Sequence, residues 1–331
     1  MMELPDHWYV VAEPRELSAR RPNSLRRHGR EWVVWRKADG SWLMQQDRCP
    51  HRSARLSQGK IHNDCVVCPF HGFRFDSTGR CSHVPEMGRE APGLKIESHT
   101  LYEAHGFLWW KRGSVSTESP PWFEELSGGS WGTHDARQWK QHVSRCIENQ
   151  LDYAHLPFVH ANTIGAKMDV RKTVEFISTE NDIRMIMSRA EKGGQEATGI
   201  RFLYPGLWRL KISPKMQAFI AFVAVDDQTT RIYLRTYQSM VTWIGLRHLV
   251  GWAMKLSNRV ILRQDLSVVL VKLRRMSETS MRQTEKRFFR ATKQSSLSEN
   301  GWNGFELFLK VHNLRGVRKI DFALNKRRSE E

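Results

Sequence analysis

The sequence predicts an α+β protein in two parts: a small antiparallel β domain, then a mixed domain with a central antiparallel sheet and helices at its edges. Three observations predict it. Residues 1–112 hold short aromatic and β-branched runs separated by turn formers, with no helical period between them. The stretch from Ser114 to Gly132 turns to Ser, Thr, Pro and Gly, as a linker does. Beyond it, strand-like runs give way to apolar residues at helical spacing. With 331 residues and roughly 150 per domain, length allows two domains. A hydrophobic content of 40% suffices for a core and excludes wholesale disorder.

The elements follow in order. Trp8–Val11, Glu31–Trp35, Ser41–Met44 and Gly106–Trp110 read as strands, with turns at Ala38-Asp39-Gly40 and Ser77-Thr78-Gly79. Ser144 to His160 reads as helical up to Pro157, and Thr173 to Tyr237 as a set of strands that includes Phe219–Val225. Asp226 and Asp227 precede Gln228-Thr229-Thr230 and read as a hairpin turn. Trp243 to Lys272 and Glu306 to Asn325 carry helical spacing. The division is therefore 1–115, a linker at 116–135, and 136–331.

The balance of 52 Lys+Arg against 35 Asp+Glu gives +17, which admits nucleic acid, an anionic membrane surface or an acidic protein partner. Val271 to Glu331 hold 15 Lys+Arg and 7 Asp+Glu, so +8 of the excess lies there, in scattered pairs with no nucleic-acid-binding motif. A solvated basic face is the plain reading, and docking of an acidic electron carrier the functional one. Thirteen Trp suggest flat, aromatic-lined surfaces. Five Cys are too few for a disulfide scaffold and point to a reducing compartment. The N-terminus lacks signal-peptide features. Val241 to Leu262, the most apolar stretch, is interrupted by Arg247, His248, Lys255 and Arg259, and no run approaches the about 20 residues of a membrane span. The expectation is a cytoplasmic protein with no transmembrane segment, for which peripheral membrane contact stays open.

Two constellations carry chemistry. Cys49-Pro50-His51 and Cys68-Pro69-Phe70-His71-Gly72 are separated by sixteen residues, and each loop offers one Cys and one His. Pairing the loops builds a two-thiolate end and a two-imidazole end, the ligand set of a Rieske [2Fe–2S] centre. The prolines stiffen the loops, and Gly72 permits a tight return. A structural zinc site is the alternative, although zinc fingers group like ligands together. Cys65, two residues before Cys68, fits a zinc knuckle; otherwise Cys65, Cys81 and Cys146 read as plain buried thiols.

The second constellation is Asn149-x2-Asp152-x2-His155-x4-His160. On a helix Asp152 and His155 share a face, and Pro157 breaks the helix so that His160 turns back. Two imidazoles presented this way suit a divalent metal, and iron(II) for oxygen chemistry prefers two His and one carboxylate with open positions. An amphipathic helix with two ordinary His is the alternative.

Together these loops and this segment resemble the Rieske non-haem iron oxygenases, the ring-hydroxylating family. The resemblance implies an N-terminal antiparallel β Rieske domain and a helix-grip-like α+β catalytic domain. It implies Cys49, His51, Cys68 and His71 as ligands of a [2Fe–2S] cluster, and His155 and His160 as ligands of mononuclear Fe(II). It implies Asp152 as the carboxylate linking the iron to His71 or His51 of a neighbouring subunit, with the subunits in a head-to-tail homotrimer. The third ligand should be a downstream carboxylate. Asp265, in Arg263-Gln264-Asp265-Leu266, fits, with a salt bridge to Arg263 or Lys272 as its alternative role and Asp226 or Asp227 as rivals. Asn149 would lie near the iron as a weak candidate ligand.

No G-x-G-x-x-G fingerprint opens a βα unit, so electrons from NAD(P)H should arrive through a separate reductase, ferredoxin or both. O2 is the implied cosubstrate. Chain length favours monooxygenation or oxidative demethylation of a small cyclic or aromatic molecule. cis-Dihydroxylation, or a Rieske electron-transfer protein without oxygenase activity, are the alternatives. Ile200–Trp208 reads either as pocket lining or as sheet core.

Overall fold

The computed structural model describes residues 4–127, 131–152, 159, 175–179, 181–189, 196–241 and 243–274. Strands β1 (His7–Ala12), β2 (Asn23–Arg27), β3 (Arg30–Arg36) and β4 (Trp42–Gln46) lead into five short strands. These are β5 (Lys60–His62), β6 (Cys65–Val67), β7 (Arg74–Phe75), β8 (Arg80–Val84) and β9 (Arg89–Lys95); β10 (Ser98–Ala104) and β11 (Phe107–Arg112) then return. One antiparallel sheet runs β1-β11-β10-β4-β3-β2, and a second follows chain order from β5 to β9.

The aromatic runs form strands because both faces of the first sheet are covered. Side chains alternate along a strand. In β3, Val33 and Trp35 join a core with Leu43, Cys49, Val66, Cys68 and Phe75. Trp32 and Val34 point the other way, toward Tyr9, Val11, Met44 and Trp110. Trp8, Trp32, Trp35, Trp42, Trp109, Trp110, Trp139 and Trp208 are all buried. This corrects the expectation of aromatic-lined surfaces: most of the described tryptophans fill cores.

The second sheet system follows. Its strands are β12 (Trp131–Trp139), β13 (Glu175–Ser178), β14 (Asp182–Arg189), β15 (Glu196–Leu203), β16 (Leu207–Ser213), β17 (Met216–Asp226) and β18 (Thr229–Gln238), ordered β12-β18-β17-β16-β15-β14-β13. Asp226 and Asp227 stand at the β17–β18 turn, where the Asp226 carboxylate accepts from the Gln228 N–H at 3.0 Å. Ile200, Phe202, Leu207 and Trp208 are buried on β15 and β16, as sheet core. A third core joins Trp8, Val10, Phe107 and Trp109 to Leu207, Phe219, Ala221 and Tyr233.

An ionic seam reinforces that junction. Arg235 reaches Glu13 at 2.7 Å, donates to the carbonyls of His105 (2.6 Å) and Gly106 (2.8 Å), and lies over the Phe107 ring. Tyr233 donates to Glu16 at 2.7 Å, and the His28 N–H donates to the Ala224 carbonyl at 2.9 Å.

Among the described residues, two long helical segments accompany the seven-stranded sheet. α1 (Val143–Leu151) is shorter than the sequence pattern predicts. Asp152 donates its N–H to the Glu148 carbonyl at 3.1 Å, but its ψ of 86° takes the chain out of the helix. Asp152 is thus the C-cap of α1. α2 (Ile244–Arg274) matches the predicted C-terminal helical spacing. Its Asn258 donates to Thr236 on β18 at 2.7 Å and reaches Thr133 on β12 at 3.4 Å, pinning the helix to the sheet. The three sheets, α1, and α2 up to Lys272 form one compact unit, apart from residue 178 at the end of β13. Among the described residues no helix is long and apolar enough to cross a membrane. The expected helix at Glu306–Asn325 lies outside the described residues.

Candidate metal centres

The two Cys/His loops are copies of one backbone device. The Cys49 N–H donates to the Ala54 carbonyl (2.9 Å) and the Ser53 N–H donates back to the Cys49 carbonyl (2.8 Å). The Cys68 N–H donates to the Phe73 carbonyl (2.8 Å) and the Gly72 N–H to the Cys68 carbonyl (3.1 Å). Each turn closes on a left-handed residue, Ser53 at φ 59° and Gly72 at φ 76°. At Gly72 an added Cβ would stand 3.0 Å from Pro85 Cγ, so glycine fits on both counts. One loop follows β4 and the other joins β6 to β7, which brings the two together.

Cys49 and Cys68 are buried together in the core beneath the loops. Burial, with the Cys68 thiol beside it, pushes the Cys49 thiol up to about 11. The imidazoles stand outward: His51 is exposed, His71 is half-buried, and their rings lie 4.8 Å apart. Phe73 stacks on His51 at 4.7 Å, and exposed Phe70 packs on His71 at 4.0 Å. The arrangement has a thiol end and an imidazole end. His71 Nδ1 is buried with no hydrogen-bond partner among the described residues, a state that costs about 1–3 kcal/mol unless something occupies the nitrogen. A metal would remove that cost, so these residues fit a two-ended iron–sulfur cluster.

The other thiols divide. Cys81 and Cys146 are buried, as expected, and burial pushes the Cys146 thiol up to about 12. Cys65 is half-buried, not buried, with its Sγ 3.5 Å from Ser82 Oγ. All five cysteines are free.

The second centre begins with a buried carboxylate. Asp265, on the inner face of α2, is 2% exposed. Asn149 donates to its Oδ1 at 3.2 Å and Gln150 to its Oδ2 at 2.9 Å, both from the last turn of α1. Trp208 of β16 donates to the Gln150 carbonyl at 3.0 Å and fixes that turn. The helix that leads into Asp152 is thereby clamped to the candidate carboxylate, more than a hundred residues downstream. Both carboxylate oxygens are held, which offsets part of the cost of burying the charge and fixes their direction. Asp152 is half-buried one residue past α1. His155 and His160 lie outside the described residues. Asn149, expected only as a weak ligand, is a hydrogen-bond partner of Asp265. The sequence pattern does not mark Gln150, for which adjacency to Asn149 is the one signal.

Residues 7–100 match the Rieske [2Fe-2S] domain family, and residues 139–286 match the vanillate O-demethylase oxygenase C-terminal domain. The chain belongs to the Rieske non-haem iron oxygenases. The Rieske domain implies the [2Fe–2S] cluster that the two loops fit. Among curated relatives, the chain is 30% identical over 168 residues to the putative toluene-4-sulfonate monooxygenase system iron-sulfur subunit TsaM2 of Comamonas testosteroni, covering 50% of this chain and 48% of that one. It is 26% identical over 253 residues to the 4beta-methylsterol monooxygenase of Methylococcus capsulatus, covering 69% and 67%. The chain spans less than half the length of several curated relatives it matches, 34% to 48%. A crystal structure of dicamba monooxygenase bound to dicamba superposes with a TM-score of 0.68 at 19% identity, covering 95% of this chain and 98% of that one, a likeness of fold.

Proposed function

We propose that this chain is the oxygenase component of an O2-dependent system that monooxygenates or oxidatively demethylates a small cyclic or aromatic molecule. The observation that carries the reading is the buried Asn149–Gln150–Asp265 clamp, which ties the start of the Asp152/His155/His160 motif to a carboxylate on another helix. In this reading Cys49, Cys68, His51 and His71 hold the [2Fe–2S] cluster, and His155, His160 and Asp265 hold the mononuclear iron. When bound, the two centres supply stored electrons and O2 activation.

The chain's own residues do the rest. The paired loops hold two thiolates in the core and two imidazoles at the rim, the side from which an electron carrier approaches. Asn149 and Gln150 orient the Asp265 carboxylate, so that ligand geometry is set before metal arrives. Asp152 accepts an N–H from a ligating imidazole and fixes its tautomer, and it links to His51 or His71 of a neighbouring subunit in a head-to-tail homotrimer. Electrons come from NAD(P)H through a separate ferredoxin, reductase or both. The demethylase and monooxygenase names of the matched family and relatives support this reaction class. Cys65, Cys81 and Cys146, outside the cluster and in no disulfide, support a reducing location such as the cytoplasm.

The test is Asp152→Asn in the full chain, assayed with a surrogate ferredoxin and reductase. The cluster absorption should be unchanged while O2-dependent product falls about 10–100-fold or more. Full activity in that variant would exclude the linking role.

A further inference from the structure

Among the described tryptophans, Trp243 and Trp252 stand apart from the buried ones. Trp243 is 74% exposed and Trp252 is 63% exposed, and Met240, Leu246, Leu256 and Val260 are exposed with them. At 3.6 residues per turn, the face of α2 that carries Gly251, Asn258, Leu262 and Asp265 is buried against the sheet and α1. The opposite face carries Trp252, Leu256 and Val260 in one row, each four residues from the next. Lys255, Arg259 and Arg263 form a second row beside it at the same spacing. A helix apolar on both faces is covered on both, and an outward apolar row rimmed by cations marks a docking surface.

Charge selects what docks there. A second copy of this chain, paired face to face, would set the basic row against itself. Residues 275–331 carry 13 Lys+Arg against 7 Asp+Glu, so that segment brings the same sign. Asp135 is the acid at the rim, 3.6 Å from Arg259, and it is already shared with Arg137 at 3.3 Å. An anionic bilayer complements both rows at once: Trp rings sit at headgroup level, Leu and Val enter the acyl boundary, and Lys and Arg meet phosphates. We propose that the outward face of α2, with Met240 and Trp243 preceding it, docks this chain on an anionic lipid surface. The helix lies in the interface plane and does not cross it.

The test uses the full, metal-loaded chain and vesicles of phosphatidylcholine, with or without phosphatidylglycerol, read by co-sedimentation. Binding is expected to the anionic vesicles and to weaken as salt rises. Trp252→Glu and Leu256→Glu, both at exposed positions that leave the core intact, should each weaken binding about tenfold or more at unchanged melting temperature. Lys255→Gln with Arg263→Gln should weaken it roughly tenfold. Absence of binding to anionic vesicles at low salt overturns the proposal. So does binding that Trp252→Glu and Leu256→Glu leave unchanged, which would move the contact elsewhere in the chain. Dissociation of an oligomer by those two substitutions in the absence of lipid, seen by light scattering, overturns it as well, because the face would then join copies of the chain.

Discussion

Replacing Gln150 by Leu tests whether the second centre is organised as described. The change removes the donor 2.9 Å from Asp265 Oδ2 and leaves Asn149 on the other oxygen. Leu approximates the lost volume, and the Gln150 carbonyl keeps its bond from Trp208, so the packing cost is small. A hydrogen bond to a charged group in a buried site contributes about 1.5–3 kcal/mol. Loss of a partner that orients a metal ligand typically costs about 10–100-fold in metal affinity. The two figures agree, because tenfold corresponds to about 1.4 kcal/mol. The assay is an anaerobic titration of the mononuclear-iron-depleted protein with Fe(II), with the cluster absorption as internal control. Asp265→Ala is the benchmark and should lose the mononuclear iron altogether. Wild-type iron affinity in a folded Gln150→Leu variant would refute the clamp.

Other outcomes follow from the same geometry. Burial alone would raise Glu13, but His134 and Arg235, with Arg15 beside them, outweigh it and hold the carboxyl at about 2, against 4.5 ordinarily. A depressed carboxyl contributes stability above its ordinary value and loses it as pH falls toward 2; the shift corresponds to about 3 kcal/mol. Urea unfolding between those limits should show the loss, and Glu13→Gln, which leaves Arg235 buried without its counter-charge, should be destabilised by about 3–5 kcal/mol at neutral pH with a flatter acid limb. An acid limb identical to wild type would contradict this. Gly72→Ala forces a side chain into φ 76° against Pro85 and should cost about 1–2 kcal/mol, read as lower cluster occupancy and melting temperature. Ser53→Gly, at the matching turn, should be neutral or stabilising, and equal damage from both would argue against the shared loop device.

Much of this molecule is legible in its sequence where one residue type has one use. The runs Trp8–Val11 and Glu31–Trp35 became strands because both faces of their sheet are buried, so aromatic and β-branched residues mark them continuously. The Cys/His loops were legible because mixed ligand pairs at that spacing have few other purposes. Asp265 stood out as a lone carboxylate in an apolar helix. The strands β5 to β8 escaped notice: Lys60-Ile61-His62 and Arg74-Phe75 are too short and too charged to show a period of two, and their pairing is tertiary. The sequence overstates α1 because Asp152 leaves the helix through its own backbone angle, ahead of Pro157. The role of Gln150 was hidden for a geometric reason. Neighbours on a helix point about 100° apart, so a pair converging on one carboxylate is not read from spacing.

The most direct test of the account is metal and sulfide analysis of the purified full chain. The mixed loops and the buried carboxylate together predict about three irons and about two acid-labile sulfides per chain, one iron being removable by chelation without loss of the cluster absorption. A preparation rich in zinc and free of sulfide would contradict the central claim.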